Sequence, residues 1–305
     1  MATQICMVGS AMTDLVARVA RLPEPGETVF GSSFVQGFGG KGSNQAVMAA
    51  RLGARVSAIV KLGRDDFGEA VLRNLHEQGI DTTFVSFAEE ASGVALITVM
   101  EEGGQNVITI VPGANRSLSA EDVRGAATVV QGARVLVAQL ETPVSATLEA
   151  FRLAKRGQTQ TLLNPAPATD LPEELLALTD VLIPNELEAA ALTGRVITTP
   201  EDALSAAEQL LSRGPKVVVI TLGGRGAVLA QTGGAAVHIA TEAVKAVDTT
   251  GAGDAFVGSL AYFTACVPEL PLADAVAKAC RVASLSVQRE GTQTSYPYRA
   301  EIEWF

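Results

Sequence analysis

Short runs of apolar, largely β-branched residues recur along the chain, at Ile5 to Val8, Val56 to Leu62, Val135 to Leu140, Thr161 to Asn164, Val181 to Ile183 and Val217 to Thr221. Between most of them lie Ala- and Leu-rich stretches whose apolar residues return with helical period: Asn44 to Leu52, Phe67 to Gln78, Val144 to Lys155, Pro200 to Ser212 and Gly253 to Ala265. A strand that is apolar on both faces has to be covered on both, and intervening helices allow successive strands to run parallel. The pattern therefore predicts an α/β fold, a doubly wound and mainly parallel sheet flanked by helices. Two stretches break the rhythm, from about residue 14 to 36 and from about 92 to 111, where alternating strands and glycine turns leave no room for a helix. They predict a small β-sheet lid inserted into one domain covering residues 1–305. Such a lid belongs over the C-terminal ends of the parallel strands, where open α/β sheets bind ligands and where water must be kept out during group transfer.

Composition narrows the chemistry. With 305 residues, 48% of them hydrophobic, the chain can bury a large core. Its 33 acidic and 23 basic residues leave a formal charge of -10, which excludes nucleic acid and anionic membrane as partners, since both need a basic surface. A nucleotide is not excluded, because backbone N–H groups, a few cationic side chains and a metal can hold it locally. The three cysteines, Cys6, Cys266 and Cys280, form neither a metal pattern nor a disulfide framework and are expected in the core. The first residues, MATQICMVGS, lack the basic region and apolar run of a signal peptide, and no stretch approaches about 18 consecutive apolar residues. A soluble, cytoplasmic protein of a reducing compartment is expected. His76 and His238 are expected at the surface, and no Ser–His–Asp spacing surrounds them.

Two glycine-rich segments carry the candidate chemistry. Asp248-Thr249-Thr250-Gly251-Ala252-Gly253-Asp254 leads into the helical run AFVGSLAYF. Gly251, Ala252 and Gly253 have almost no side chain, so N–H groups and the positive end of a helix dipole converge where an anion should sit. A carboxylate beside such a hole repels the anion unless it takes a proton from an attacking hydroxyl while the N–H groups stabilise a transferring phosphoryl group. Read alone, Asp254 is about as easily an ordinary first-turn acid. The second segment, Gly37-Phe38-Gly39-Gly40-Lys41-Gly42-Ser43-Asn44, opens the helix QAVMAARLG and offers Lys41 and Asn44 as donors to hydroxyl groups. Gly37, Gly39 and Gly42 also match G-x-G-x-x-G, but a dinucleotide site should use the turn directly after the first strand.

Together, about two hundred residues apart, the segments resemble the paired signatures of the ribokinase-like family of carbohydrate kinases, G-G-K-G-x-N and D-T-x-G-A-G-D. The resemblance runs from GSAMTD to GTQTSYP, and no GxxxxGK[ST] loop is present. It implies transfer of the γ-phosphoryl group of ATP to the 5-hydroxyl of D-ribose, with Asp254 as base. It also implies sugar contacts from Asp14, Gly40, Lys41, Gly42, Asn44 and Glu141. Asn185 and Glu188, in PNELE, correspond to the family's N-x-x-E near Mg²⁺ and the ATP phosphates, although an N-cap with its capping-box partner explains the same pair. Thr221, Gly223, Gly224 and Gly226, with Gly253, would hold the nucleotide, and Cys280 matches a position near the adenine. Asp248 and Thr250, with Ser286, Arg289, Gly291 and Ser295, would surround K⁺, mostly through backbone carbonyls.

Met12 departs from the Asn of many bacterial relatives. A sugar hydroxyl facing it loses a hydrogen bond worth roughly 0.5–1.5 kcal/mol net, which predicts weak discrimination against 2-deoxyribose. Val29, Phe30, Phe34, Val35, Val94 and Ile97 are more apolar side chains than one face of a small sheet should leave wet, which predicts a homodimer through the lid. The rivals are a 2-deoxyribose kinase, then adenosine, fructose or 2-keto-3-deoxygluconate kinases. From other classes they are a dinucleotide-dependent oxidoreductase and a sugar-binding regulator, the last of which would ordinarily lack the base.

Overall fold

In the computed structural model, which describes residues 3–102 and 105–305, the apolar runs become the strands of one large sheet. Residues 1, 2, 103 and 104 lie outside the described residues, the last pair within the second segment expected to form the lid. The large sheet contains β1 (Ile5–Val8), β4 (Val56–Ile59), β9 (Val135–Ala138), β10 (Gln160–Leu163), β11 (Val181–Leu182), β12 (Val217–Thr221), β13 (Ala227–Gln231) and β14 (Val237–Ile239). Its order is β14-β13-β12-β11-β10-β9-β1-β4, parallel from β12 to β4 and antiparallel at the β13 and β14 edge. The helices are α1 (Lys41–Arg51), α2 (Asp66–Glu77), α3 (Ala120–Gly125), α4 (Ala127–Gly132), α5 (Val144–Gly157), α6 (Glu173–Ala177), α7 (Glu186–Thr193), α8 (Pro200–Leu211), α9 (Ala252–Cys266) and α10 (Leu272–Ser286).

Alternation along the strands explains the two layers of helices. Ile5, Met7, Val135, Val137 and Val219 point to one face, where they pack with residues of α1, α2, α9 and α10. Cys6, Val8, Leu136, Ala138 and Val218 point to the other, under α3 to α8. Both faces being covered, every residue of β1, β4 and β9 is buried. Local signals set where helices start: α8 begins with Thr199 accepting from the Asp202 N–H in a reciprocal capping box, with Pro200 in the first turn.

The two segments without helical pattern supply β2 (Met12–Val19), β3 (Gly31–Gly39), β7 (Gly93–Met100) and β8 (Asn106–Val111), a separate sheet of order β3-β2-β7-β8. One expected strand divides. The run Val56 to Leu62 leaves the main sheet after Ile59, and β5 (Lys61–Gly63) pairs with β6 (Ser86–Ala88) in a small sheet of its own. Seven apolar side chains of the four-stranded sheet are exposed, Phe34, Val35, Leu96, Val107, Ile108, Ile110 and Val111, with Phe30 just before β3, but they do not share the expected single face. The register puts Phe34, Leu96, Val107 and Val111 on one side, and Val35, Ile108 and Ile110 on the other with Ile97, which is buried, while Val29 and Val94 are half-buried. Of the cysteines, Cys6 and Cys280 are buried, whereas Cys266 is half-buried. His76 and His238 hydrogen-bond to Thr82 and to the Arg225 carbonyl in exposed positions.

Candidate active site

Beyond the C-terminal ends of β1 and β9 the connections diverge: β1 lies between β9 on one side and β4 on the other, the position where open α/β sheets form a crevice. Ser10, just past β1, donates its hydroxyl to Glu141, just past β9, at 2.5 Å. The same Glu141 Oε2 accepts the backbone N–H of Lys41 at 2.9 Å, so this carboxylate also occupies the positive end of α1. The helix reaches it because its glycines permit close contact. A Cβ on Gly40, where φ is +87°, would meet Ala11 Cα at 2.8 Å, and one on Gly42 would meet backbone atoms of Ser10 at 2.7 Å.

Across the crevice α9 starts at Gly251, with φ +76°; a Cβ there would strike the Tyr296 hydroxyl and the Thr292 methyl at 2.7 Å. The Tyr296 hydroxyl donates to the Gly251 carbonyl at 3.0 Å. Of the three small residues, Ala252 spends its N–H on the Thr249 carbonyl, while the N–H groups of Gly251 and Gly253 meet no acceptor among the described residues. The expected anion hole thus rests on the two glycines, not on Ala252. The carboxylate of Asp254, in the same first turn, is buried.

The acidic and amide residues of the first half of the chain gather around it. Asn44 donates to Asp254 Oδ2 at 3.0 Å, its own Oδ1 being held by Gln293 at 3.0 Å. The ammonium of Lys41 is raised above its ordinary pKa, first by the charge of Asp254 and then by Glu141 and Glu188, against the opposing effect of burial. Asp14, on β2, is pushed up to about 6 by burial, with Glu141 and Asp254 adding to the rise and a long hydrogen bond from Thr292 opposing it. The chain leaves room for this carboxyl with Gly37 opposite Asp14 on β3 and Gly39 two residues on, where a Cβ would meet Asp14 Oδ1 at 2.1 Å. Gly37 and Gly39 therefore belong to a strand of the four-stranded sheet, and the G-x-G-x-x-G match is not the turn after the first strand that a dinucleotide needs.

Two cavities meet these groups. The smaller, about 180 Å³, is lined by Lys41, Asn185, Glu188, Thr221, Gly253 and Asp254, among others. The larger, about 530 Å³, is lined by Met12, Ile110, Arg116, Glu141 and Thr142, among others. Met12 is buried, and the buried hydroxyl of Thr142 has no partner among the described residues.

On the nucleotide side, Asn185 and Glu188 form the reciprocal capping box of α7. Glu188 donates its N–H to Asn185 Oδ1 at 2.8 Å, and its carboxylate accepts from the Asn185 N–H at 2.9 Å and side-chain amide at 3.0 Å. Burial raises the Glu188 carboxyl, Asp254 adds to the rise, and the Asn185 hydrogen bond and Lys41 oppose it. Thr221 ends β12 and bridges to Asn185. Gly223 and Gly224 face open space, whereas Gly226, with φ +90°, is required by the Ile239 carbonyl, which a Cβ would meet at 2.1 Å. Burial pushes the Cys280 thiol up to about 12, so this residue packs on α10 as an inert thiol.

Asp248 ties two loops together, accepting the Thr250 N–H on one oxygen and the Gly291 N–H on the other, both at 2.9 Å. Burial raises its carboxyl, but these hydrogen bonds outweigh that effect and leave it below the ordinary range. Ser286 and Ser295 are buried beside these loops, and the side chain of Arg289 turns away to Glu301 at 2.8 Å. Arg18 of the four-stranded sheet pairs with Glu290 of the second loop at 2.9 Å. Among the described residues no group of three or more His, Cys, Asp or Glu side chains is arranged to hold a metal ion.

The structure adds residues that the motifs did not single out. Thr292, Gln293 and Tyr296 bring the far end of the chain to Asp14, Asn44 and Gly251. Gln45, Gln139 and Asn164 stand beneath Asp254, and their one sequence signal is amides set into otherwise apolar runs.

Residues 2–299 match the family described as pfkB family carbohydrate kinase. The chain is 48% identical over 304 residues to the ribokinase of Mus musculus, covering 99% of this chain and 94% of that one. It is 39% identical over 295 residues to the deoxyribokinase of Salmonella typhi, covering 96% and 95%. The solved structure of Arabidopsis thaliana ribokinase complexed with ribose and ATP superposes with a TM-score of 0.89 at 32% identity, covering 98% of this chain and 97% of that one. With its buried carboxylate at a glycine-lined helix start facing a lysine and an asparagine across a crevice, this chain belongs to the pfkB family of carbohydrate kinases.

Proposed function

We propose that the chain is a ribokinase, which phosphorylates the 5-hydroxyl of D-ribose with ATP to give D-ribose 5-phosphate and ADP. The observation that carries this reading is the position of Asp254, in the first turn of α9 beside the free N–H groups of Gly251 and Gly253 and within 3.0 Å of the Asn44 amide. The sugar would lie between Asp14, Lys41, Asn44 and Glu141, with its primary alcohol toward Asp254. The alcohol oxygen forms the new bond to the γ-phosphorus, its proton passes to Asp254, and the bond from that phosphorus to the β–γ bridging oxygen breaks as ADP leaves. The glycine N–H groups hold the charge on the moving phosphoryl group, and Lys41, cationic because three carboxylates surround it, neutralises charge from the opposite side.

ATP would lie in the cleft between Asn185, Thr221, Gly223 and Gly224, where the open glycines admit it without a clash. Mg²⁺, when bound, neutralises charge on the phosphates. Both oxygens of Glu188 are already engaged by Asn185, which fits a metal held through its water shell more than one gripped directly. For K⁺ the support is the donor set: the carbonyls of Thr250, Arg289, Gly291 and Ser295 accept no hydrogen bond from the described residues, and Asp248 holds their loops together. We read residues 1–305 as one kinase domain whose four-stranded sheet is its lid, with the exposed face of that lid pairing in a homodimer. Three free cysteines and use of ATP fit the cytoplasm.

A second reading, 2-deoxyribose as a comparable substrate, is favoured by Met12, which offers the larger cavity a thioether where an amide would bond a hydroxyl. A coupled ADP-release assay over pentoses and hexoses, with K⁺ or a large organic cation, tests these readings together. Sugar-dependent ADP release with ribose, greater in K⁺, is the expected result. Turnover confined to hexoses or nucleosides would overturn the assignment of substrate, and equal rates in the two cations would overturn the role of K⁺.

A further inference from the structure

Asp254 accepts two side-chain hydrogen bonds, and they come from different surroundings. Asn44, on Oδ2, belongs to the expected sugar contacts, whereas Oδ1 accepts Nε2 of Gln45 at 2.9 Å, and the Gln45 side chain is fully buried. A glutamine amide alone can turn over and present its oxygen, which would repel the carboxylate. Here neighbouring amides set its direction. Gln45 Oε1 accepts from Gln139 Nε2 at 2.5 Å, and Gln45 Nε2 also donates to Asn164 Oδ1 at 3.1 Å. Asn164 is itself directed, because its Nδ2 donates to the Ile183 carbonyl at 2.9 Å. Gln139 is packed against Gly9, where a Cβ would come within 2.1 Å of its Oε1, and that oxygen meets no hydrogen-bond partner among the described residues. Its Nε2 also lies 3.2 Å from Met7 Sδ, so the direction of Gln45 is set chiefly by Asn164. Gln139 and Asn164 each follow directly on a strand of the main sheet, β9 and β10, and through the Asn164 bond to the Ile183 carbonyl the direction of Gln45 is tied to that sheet.

We propose that Gln45 is a positioning residue for phosphoryl transfer: through Oδ1 it fixes the plane of the Asp254 carboxylate and reserves Oδ2 for the alcohol's proton. The inference rests on the kinase reading above. A carboxylate free to rotate about its Cβ–Cγ bond would spend part of its time with neither lone pair toward the alcohol, and small misplacements of a reacting group are expensive in rate. Gln45 touches neither sugar nor nucleotide in this scheme, so its loss should appear in turnover, not in substrate binding.

The test is Gln45→Met, which keeps the length of the side chain and removes the donor, measured by steady-state kinetics with ribose and ATP and by calorimetric titration with ribose to count competent sites. The expected result is a kcat lower by about 10- to 100-fold, KM values within about twofold of the parent, and one sugar site per chain. If that variant does not fold, Gln139→Leu leaves Gln45 in place without the donor to its Oε1 and should show the same split at about 3- to 10-fold. A foldable variant with kcat within twofold of the parent, or a loss confined to KM, overturns the proposal. A parent enzyme without sugar-dependent turnover would instead defeat the kinase reading itself, so the two failures are told apart.

Discussion

The two large sheets treat their side chains in opposite ways. In the eight-stranded sheet every residue of β1, β4 and β9 is buried, whereas in the four-stranded sheet all six residues of β8 and the first six of β3 are exposed. Burial on both faces of the main sheet sets its strand-end amides among other amides: Asn164 accepts from Gln45 and donates to the Ile183 carbonyl, whereas Gln139 donates to Gln45 and its own Oε1 meets no partner among the described residues. The four-stranded sheet buries polar side chains where β2 leaves the core, at Thr13 and Asp14 beside Met12, and there the Thr13 hydroxyl meets no partner among the described residues. In the proposed scheme the groups that act on the reacting atoms, with Lys41, Asn44 and Glu141 among the sugar contacts, stand on the main-sheet side of the crevice, and Met12 and Asp14 reach it from the four-stranded sheet.

Variants can break this division or sharpen it. Asp254→Asn on the rigid side is expected to lower kcat by roughly a hundredfold or more with sugar binding nearly unchanged; a rise in KM with kcat preserved would break the comparison. Phe34→Glu on the exposed lid face would bury an unpartnered carboxylate in a lid-to-lid dimer, at about 2 kcal/mol or roughly thirtyfold in association. Sedimentation should show a dimeric parent and a dissociating variant at micromolar concentration, and a monomeric parent would remove the dimer from the scheme.

Asp14→Asn tests the lid side of the crevice. It should raise the sugar KM by roughly tenfold, the weight of hydrogen bonds to a charged acceptor, with kcat less affected. The carboxyl lies at about 6 in the folded protein against an ordinary 3.8, so its ionised form is disfavoured by folding, and the cost is present above pH 6 and gone below about pH 4. Thermal melts should therefore show Asp14→Asn more stable than the parent at pH 8, the difference shrinking as pH falls through 6. A difference independent of pH would refute the burial of that charge. The smallest effect is expected from Met12→Asn, which should raise the preference for ribose over 2-deoxyribose by about 2- to 10-fold in kcat/KM. An unchanged ratio would mean that Met12 faces packing and not the sugar.

Much of this could be read from the chain itself. The runs Ile5 to Val8 and Val217 to Thr221 are strands with the expected limits, and the helices begin within a few residues of their apolar patterns. The break after Ile59 was not legible, because the apolar run continues while its hydrogen-bond partner changes from β1 to β6. Nor was the inward turn of Ile97, which depends on which face of β7 meets the core. Glu141 was legible as an acid near a helix start, but the helix it caps is α1, one hundred residues earlier in the chain.

Local sequence determined what depends on near neighbours: the strand and helix periods, the capping boxes of α7 and α8, and the small residues that open α1 and α9. Tertiary structure decided what depends on distant neighbours. Asp254 meets Gln45 and Asn44 across more than two hundred residues, and Gln293 reaches Asn44 across 249. No spacing rule encodes such pairs, because a buried amide is indifferent to its place in the chain and takes its direction from whatever acceptor the packed core sets against it.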